Sequence, residues 1–203
     1  MRFVISLLSL LIAIYAGYGI VRNEAPPSSA SDIKPKPLIV EKDEGEHRVR
    51  RPRDLPMPTP HFTIKVDRQN AGSQKMWLVA EEIPPGGVIA RHKHLDQDEI
   101  LLIQSGSGRA WLGTQERDVH SGAVIFIPSN TWVGFKNRGK EIVRVAAVFS
   151  DPGYDVFMRC SSVPQGGQPE PITPEELQAC QHKGHVVAEG TFDFATPTQT
   201  RPE

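Results

Sequence analysis

Two histidines stand two residues apart in Val88-Ile89-Ala90-Arg91-His92-Lys93-His94, and Glu99 follows just ahead of the apolar run Ile100 to Ile103. On a strand, an i, i+2 pair places both imidazoles on one face, aimed at one spot. Closing the polar turn Leu95-Asp96-Gln97-Asp98 as a hairpin would return the Glu99 carboxylate to that spot. Two neutral imidazoles and a carboxylate suit Fe(II), Mn, Ni, Cu or Zn. The bland alternative is a solvated polar run that binds nothing.

Such a site needs strands to hold it. From Phe62 to Ser150, β-branched and apolar runs at 62–66, 75–83, 88–92, 99–104, 109–112, 123–127, 132–136 and 142–149 alternate with turn residues such as Pro84-Pro85-Gly86-Gly87 and Ser105-Gly106-Ser107-Gly108. Short strands at this spacing predict an all-β sandwich or barrel, with no amphipathic helix interrupting them. The 17 Gly and 18 Pro fit a turn-rich chain.

The residues resemble the cupins, whose first motif is G-x5-H-x-H-x3–4-E-x6-G; Gly86, His92, His94, Glu99 and Gly106 match each fixed position. The second motif, G-x5-P-x-G-x2-H-x3-N, is met by Gly122, Pro128 and Asn137. It begins after the 15 residues Ser107 to Ser121, as in compact single-domain members. Asn130 replaces a Gly, a mild change because Asn tolerates the left-handed conformation. Val133 stands where the fourth ligand, a His, belongs, and His120 lies at the wrong end of its strand to substitute.

The resemblance implies a jelly-roll barrel and a metal site of His92, His94 and Glu99, taking Fe, Mn, Ni or Zn, or else a site that has lost its metal. With metal, open coordination positions fit a small-molecule dioxygenase or a Lewis-acid isomerase or decarboxylase. Glu99 then has room for a catalytic role as proton shuttle. Without metal, the reading becomes a small-ligand-binding or structural cupin. The resemblance also implies a homodimer through exchanged edge strands. Barrel-facing candidates are Met76, Leu78, Ile103, Trp111, Phe126, Trp132 and Phe135.

The 203 residues carry 23 Lys and Arg against 24 Asp and Glu, so no basic field exists for a nucleic-acid partner. Phe3 to Val21 form 19 uncharged positions, long enough to cross a bilayer. Residues 1–21 therefore read as an anchor helix or signal peptide. A retained anchor tethers the soluble part to the membrane outside the cytoplasm, and cleavage would make the protein secreted. Residues 22–37 read as a Pro-rich disordered linker, 38–160 as the barrel with its core at 61–150, and 161–203 as a tail. The boundary is soft, since His47, Val49 and Arg51 alternate like an early strand.

In the tail, Thr173-Pro174-Glu175-Glu176 is a capping box that predicts a helix over about 174–183, stopped by Gly184. Cys160 and Cys180, the only two cysteines, suit a disulfide in an oxidising compartment. Their rival use is a second metal site of Cys180, His182 and His185.

Overall fold

The computed structural model describes residues 34–53 and 60–189. The anchor segment 1–21 and most of the expected linker lie outside them. Among the described residues, no helix is long and apolar enough to cross a membrane.

The elements in chain order are β1 (Glu46–Arg50), β2 (His61–Val66), α1 (Arg68–Ala71), β3 (Met76–Ile83), β4 (Val88–His94), β5 (Glu99–Ser105), β6 (Ser107–Leu112), β7 (Gln115–His120), β8 (Val124–Ile127), β9 (Val133–Lys136), β10 (Val143–Ser150), α2 (Tyr154–Cys160), β11 (Ser162–Pro164), α3 (Pro174–Lys183) and β12 (Val186–Ala188). The strands form two antiparallel sheets, β11-β1-β2-β3-β10-β5-β8 and β12-β4-β9-β6-β7, facing each other as a jelly roll. Between them lie Ile64, Val79, Ile103, Ile127, Phe135 and Val145, all buried. Each contributes about 1.5–3 kcal/mol relative to its exposed state.

Several expectations are corrected. β4 and β5 lie in different sheets, so Leu95 to Asp98 cross between sheets rather than close a hairpin. A strand not foreseen, β7, carries the polar sequence QERDVH with only Val119 buried. It is an edge strand, where charge protects against stray pairing. A single helical turn, α1, does interrupt the strands, started by the reciprocal Asp67–Asn70 capping box. The segment after residue 160 supplies a strand to each sheet, β11 against β1 and β12 against β4.

The expected lining residues divide by strand phase. Along β3 the inward positions are Trp77, Val79, Glu81 and Ile83, which puts Met76 outside at 55% exposure and Leu78 on the same outer face. Phe126 is likewise outside, 56% exposed. Trp111 pairs with Gly134, opposite in phase to inward Val133 and Phe135, and Trp132 lies under the outward Arg91 and Lys93. Of that set, Ile103 and Phe135 join the cluster between the sheets, and Trp111 is buried as well, 2% exposed, but on the other face of its strand. A one-residue phase error inverts every side chain on a strand.

At the C-terminal end, α3 spans Pro174–Lys183 behind the reciprocal Thr173–Glu176 cap. Cys160 at the end of α2 is joined to Cys180 in α3. Closing a loop of this length removes about 3 kcal/mol of unfolded-chain entropy. Gly184 follows α3 with an ordinary negative φ, and His185 takes the left-handed turn instead. Gly184 is required for another reason: a Cβ there would lie 2.3 Å from Phe157 Cβ and 2.9 Å from Phe157 N, where α2 passes.

Candidate metal centre

β4 alternates, so His92 and His94 turn inward while Arg91 and Lys93 cover Trp132 at 4.9 and 5.3 Å from its ring centre. Pairing fixes the strand on both edges: His92 is opposite Val133 of β9 and Ala188 of β12. Glu99 opens β5 from the other sheet, between Phe149 and Ile127. The crossing loop is pinned by its own polar groups. Asp98 Oδ1 accepts from the Ser129 N–H at 2.9 Å, and the Gln97 side chain accepts from the Tyr154 N–H at 3.1 Å while donating to the Asp151 carbonyl. In the Pro128-Ser129-Asn130 turn, Asn130 takes φ 59, the left-handed conformation expected of the residue replacing Gly.

The three groups meet. His92 Nε2 lies 3.2 Å from His94 Nε2, His94 Nε2 lies 3.3 Å from Glu99 Oε2, and one ligand atom from each falls within 4.8 Å of the others. Exposure is 7% at His92, 1% at His94 and 5% at Glu99. His92 Nδ1 donates to the Ala90 carbonyl at 2.7 Å, which assigns the tautomer with an Nε2 lone pair facing the cluster. Glu99 Oε2 is buried with no hydrogen-bond partner among the described residues. A buried acceptor left unpaired costs about 1–3 kcal/mol. One divalent ion satisfies that oxygen and both Nε2 atoms together, so the donor set fits a metal.

Electrostatics favours the same chemistry. Burial first, then the neighbouring His94, pulls His92 down to about 4, and burial pulls His94 to about 4. Burial pushes Glu99 up to about 7, with His92 opposing. Both imidazoles are therefore neutral ligands at pH 7, while Glu99 gives up a proton to bind metal. Apparent metal affinity is expected to fall about tenfold per pH unit from pH 7 towards 5 and to level off above 7. Titration of Zn(II) into metal-free protein across that range measures it, and a flat profile would refute the assignment of Glu99 as ligand.

Tyr154 closes one side of the cluster, its ring centre 4.3 Å from that of His94 and 6.0 Å from that of His92. Phe149 sits 5.1 Å from His94 and stacks on Trp77 at 4.4 Å. Sequence reasoning missed Tyr154, Gln97 and Phe149, which lie in no recognisable motif. α2 turns back after β10 and delivers Tyr154 onto the histidines. Val133 is buried opposite His92, and His120 is exposed on β7, away from the cluster. The second metal site is overturned: Cys180 Sγ is bonded to Cys160, and His185 Nδ1 faces Asp96 Oδ2 at 2.5 Å.

Residues 79–149 match the cupin domain family model. A predicted oxalate decarboxylase from Thermotoga maritima is 19% identical, with TM-score 0.48 over 56% of this chain and 99% of that one. The polyketide cyclase RemF from Streptomyces resistomycificus is 17% identical, with TM-score 0.49 over 72% and 94%. KdgF from a Halomonas species is 17% identical, with TM-score 0.47 over 57% and 94%. No curated protein matches. The stretch that carries both histidines and Glu99, together with the facing strands β5 and β10 up to Phe149, is a cupin domain.

Proposed function

We propose that this cupin domain binds one divalent transition metal, Fe, Mn, Ni or Zn, through His92, His94 and Glu99 and acts on a small organic molecule in an oxygen-dependent reaction. The observation that carries the reading is the buried convergence of two Nε2 atoms and an otherwise unpartnered carboxylate oxygen. When bound, such a metal supplies Lewis acidity and, for Fe(II), a place for O₂ beside substrate. Val133 leaves the position of a fourth protein ligand to an outside molecule. Closed four-ligand sites are the usual structural zinc centres, so three ligands favour reactivity.

The protein's own groups then have defined parts. Ala90 orients His92 through its carbonyl. Phe149, Trp77 and Tyr154 keep water from the buried side. Glu99, with its affinity for a proton raised by burial, holds or passes one at Oε2 near neutral pH. The same Val133 supports a second reading, a metal-free domain that binds a small ligand. Elemental analysis of the untagged full chain separates the two. About one equivalent of transition metal, with oxygen uptake on a phenolic or keto-acid substrate, is the expected result. No metal after reconstitution with Fe(II), Mn(II), Ni(II) and Zn(II) would leave the binding reading.

The apolar segment Phe3 to Val21 and the Cys160–Cys180 disulfide support a membrane-tethered domain on the oxidising side of that membrane.

A further inference from the structure

Two arginines that belong to neither cupin motif enter the barrel from its first strand. Arg50 ends β1 with its side chain only 10% exposed, and Arg53 follows three residues later. Both reach the same helix at successive residues. The Arg50 Nη atoms lie 3.6 Å from Met158 Sδ, and Arg53 lies over the Phe157 ring at 5.9 Å. Arg50 has a counter-ion in Glu81, Nη2 to Oε2 at 3.3 Å, and it also covers Phe62 at 4.7 Å. Arg53 has none: its Nε and Nη2 are shut off from solvent and bonded to nothing among the described residues.

Such an arrangement is costly unless something completes it. Desolvating a guanidinium without a paired anion is costly, and a cation–π contact near the limit of its range returns only a small part of that cost. The carboxylate of Glu81 is engaged by Arg50 and leaves Arg53 without an anion among the described residues. Burial first, then Arg50, pulls Arg53 down to about 10, the response of a cation lacking an anion. The Phe157 ring under Arg53 stacks on Tyr154 at 5.2 Å, and Tyr154 in turn lies 4.3 Å from His94, so Tyr154 links this cluster to the metal centre.

We propose that Arg50 and Arg53 form a subsite for the carboxylate of an apolar, aromatic monoacid beside the metal centre. The one unpaired guanidinium, Arg53, fits a single carboxylate through its planar fork, and Phe62, Phe157 and Met158 give the subsite apolar walls. That the acid is a substrate rests on the metal-centre reading; the anion subsite does not.

Calorimetric titration of the full chain with benzoate tests this, with benzamide as the uncharged isostere and inorganic phosphate as a second anion. Benzoate is expected to bind at least tenfold more tightly than either, to weaken at least tenfold in Arg53→Gln, and to recover in part in Arg53→Lys. Removing an unpaired buried charge leaves Arg53→Gln at least as stable as the parent, so loss of binding is not loss of fold. Benzamide binding equal to benzoate, phosphate preferred over benzoate, unchanged affinity in Arg53→Gln, or no benzoate binding at all each overturns the subsite. Metal content measured on the same samples reports separately on the metal centre, so failure of one reading is told from failure of the other.

Discussion

The Glu99→Gln variant is expected to lose its metal and to become more stable without it. Outer partners of metal ligands already control about 10–100-fold in affinity, so exchanging the one anionic ligand for an amide should cost more than that. Content should drop from about one equivalent to below about a tenth. Stability moves the other way because the carboxylate is buried. Folding raises the Glu99 pKa from the ordinary 4.5 to about 7, so the folded chain holds the proton more tightly than the unfolded one. That contribution is fully present below pH 4.5 and is lost as pH rises through 7. With metal chelated, Glu99→Gln should therefore exceed the parent by on the order of 3 kcal/mol above pH 7, and the gap should close below pH 4.5. Urea unfolding of both proteins at the two ends of the range gives the answer. Equal stability at pH 8, or metal retained by the amide, would contradict the role assigned to Glu99.

Arg159→Met is expected to produce the other large effect, on stability alone. Arg159 on α2 donates to Glu46 of β1 at 2.6 and 3.0 Å, to Asp155 at 3.0 Å, and to Asp67, the N-cap of α1. Asp67 is wholly buried, and without Arg159 its charge has no cation left among the described residues. Removing one member of a buried pair costs about 3–5 kcal/mol. A domain of this size has about 5–15 kcal/mol in total. Burial alone would raise the Glu46 pKa, but hydrogen bonds from Arg159 and Arg48 outweigh it and hold the carboxyl below its usual range. Part of the Arg159 contribution is thus present above pH 4.5 and lost as acid protonates Glu46, so the gap between variant and parent should narrow at low pH. Metal content should stay unchanged. A cost below about 1 kcal/mol at pH 7 would show that the network is incidental.

What could be read beforehand follows from which interactions are local. The i, i+2 spacing of His92 and His94 needs only a strand to give a shared face, and the cap of α3 is written in four consecutive residues. The partner sheet of Glu99 is not local, and a polar four-residue link reads equally well as a hairpin or a crossing. The phase of β3 was hidden because Met-Trp-Leu-Val-Ala is apolar on both faces, and the inward charge, Glu81, reverses what hydropathy suggests. β7 looked like a loop because an edge strand can remain almost wholly polar. α2 has no side-chain cap at Gly153, so nothing announced the helix that carries Tyr154.

The pairing of β12 with β4 bears on how the site is assembled. Val186 pairs with His94 and Ala188 with His92, so the strand bearing both imidazoles gains its second neighbour only from the far end of the described chain. Contacts of such sequence separation form slowly, since a long loop must close before they contribute. During synthesis, β4 and β9 emerge well before Tyr154 and β12, and through that interval the ligands have neither their cover nor their second edge. The cage is completed near the end of folding, so a metal held there would be captured late rather than serve as the nucleus around which the barrel forms.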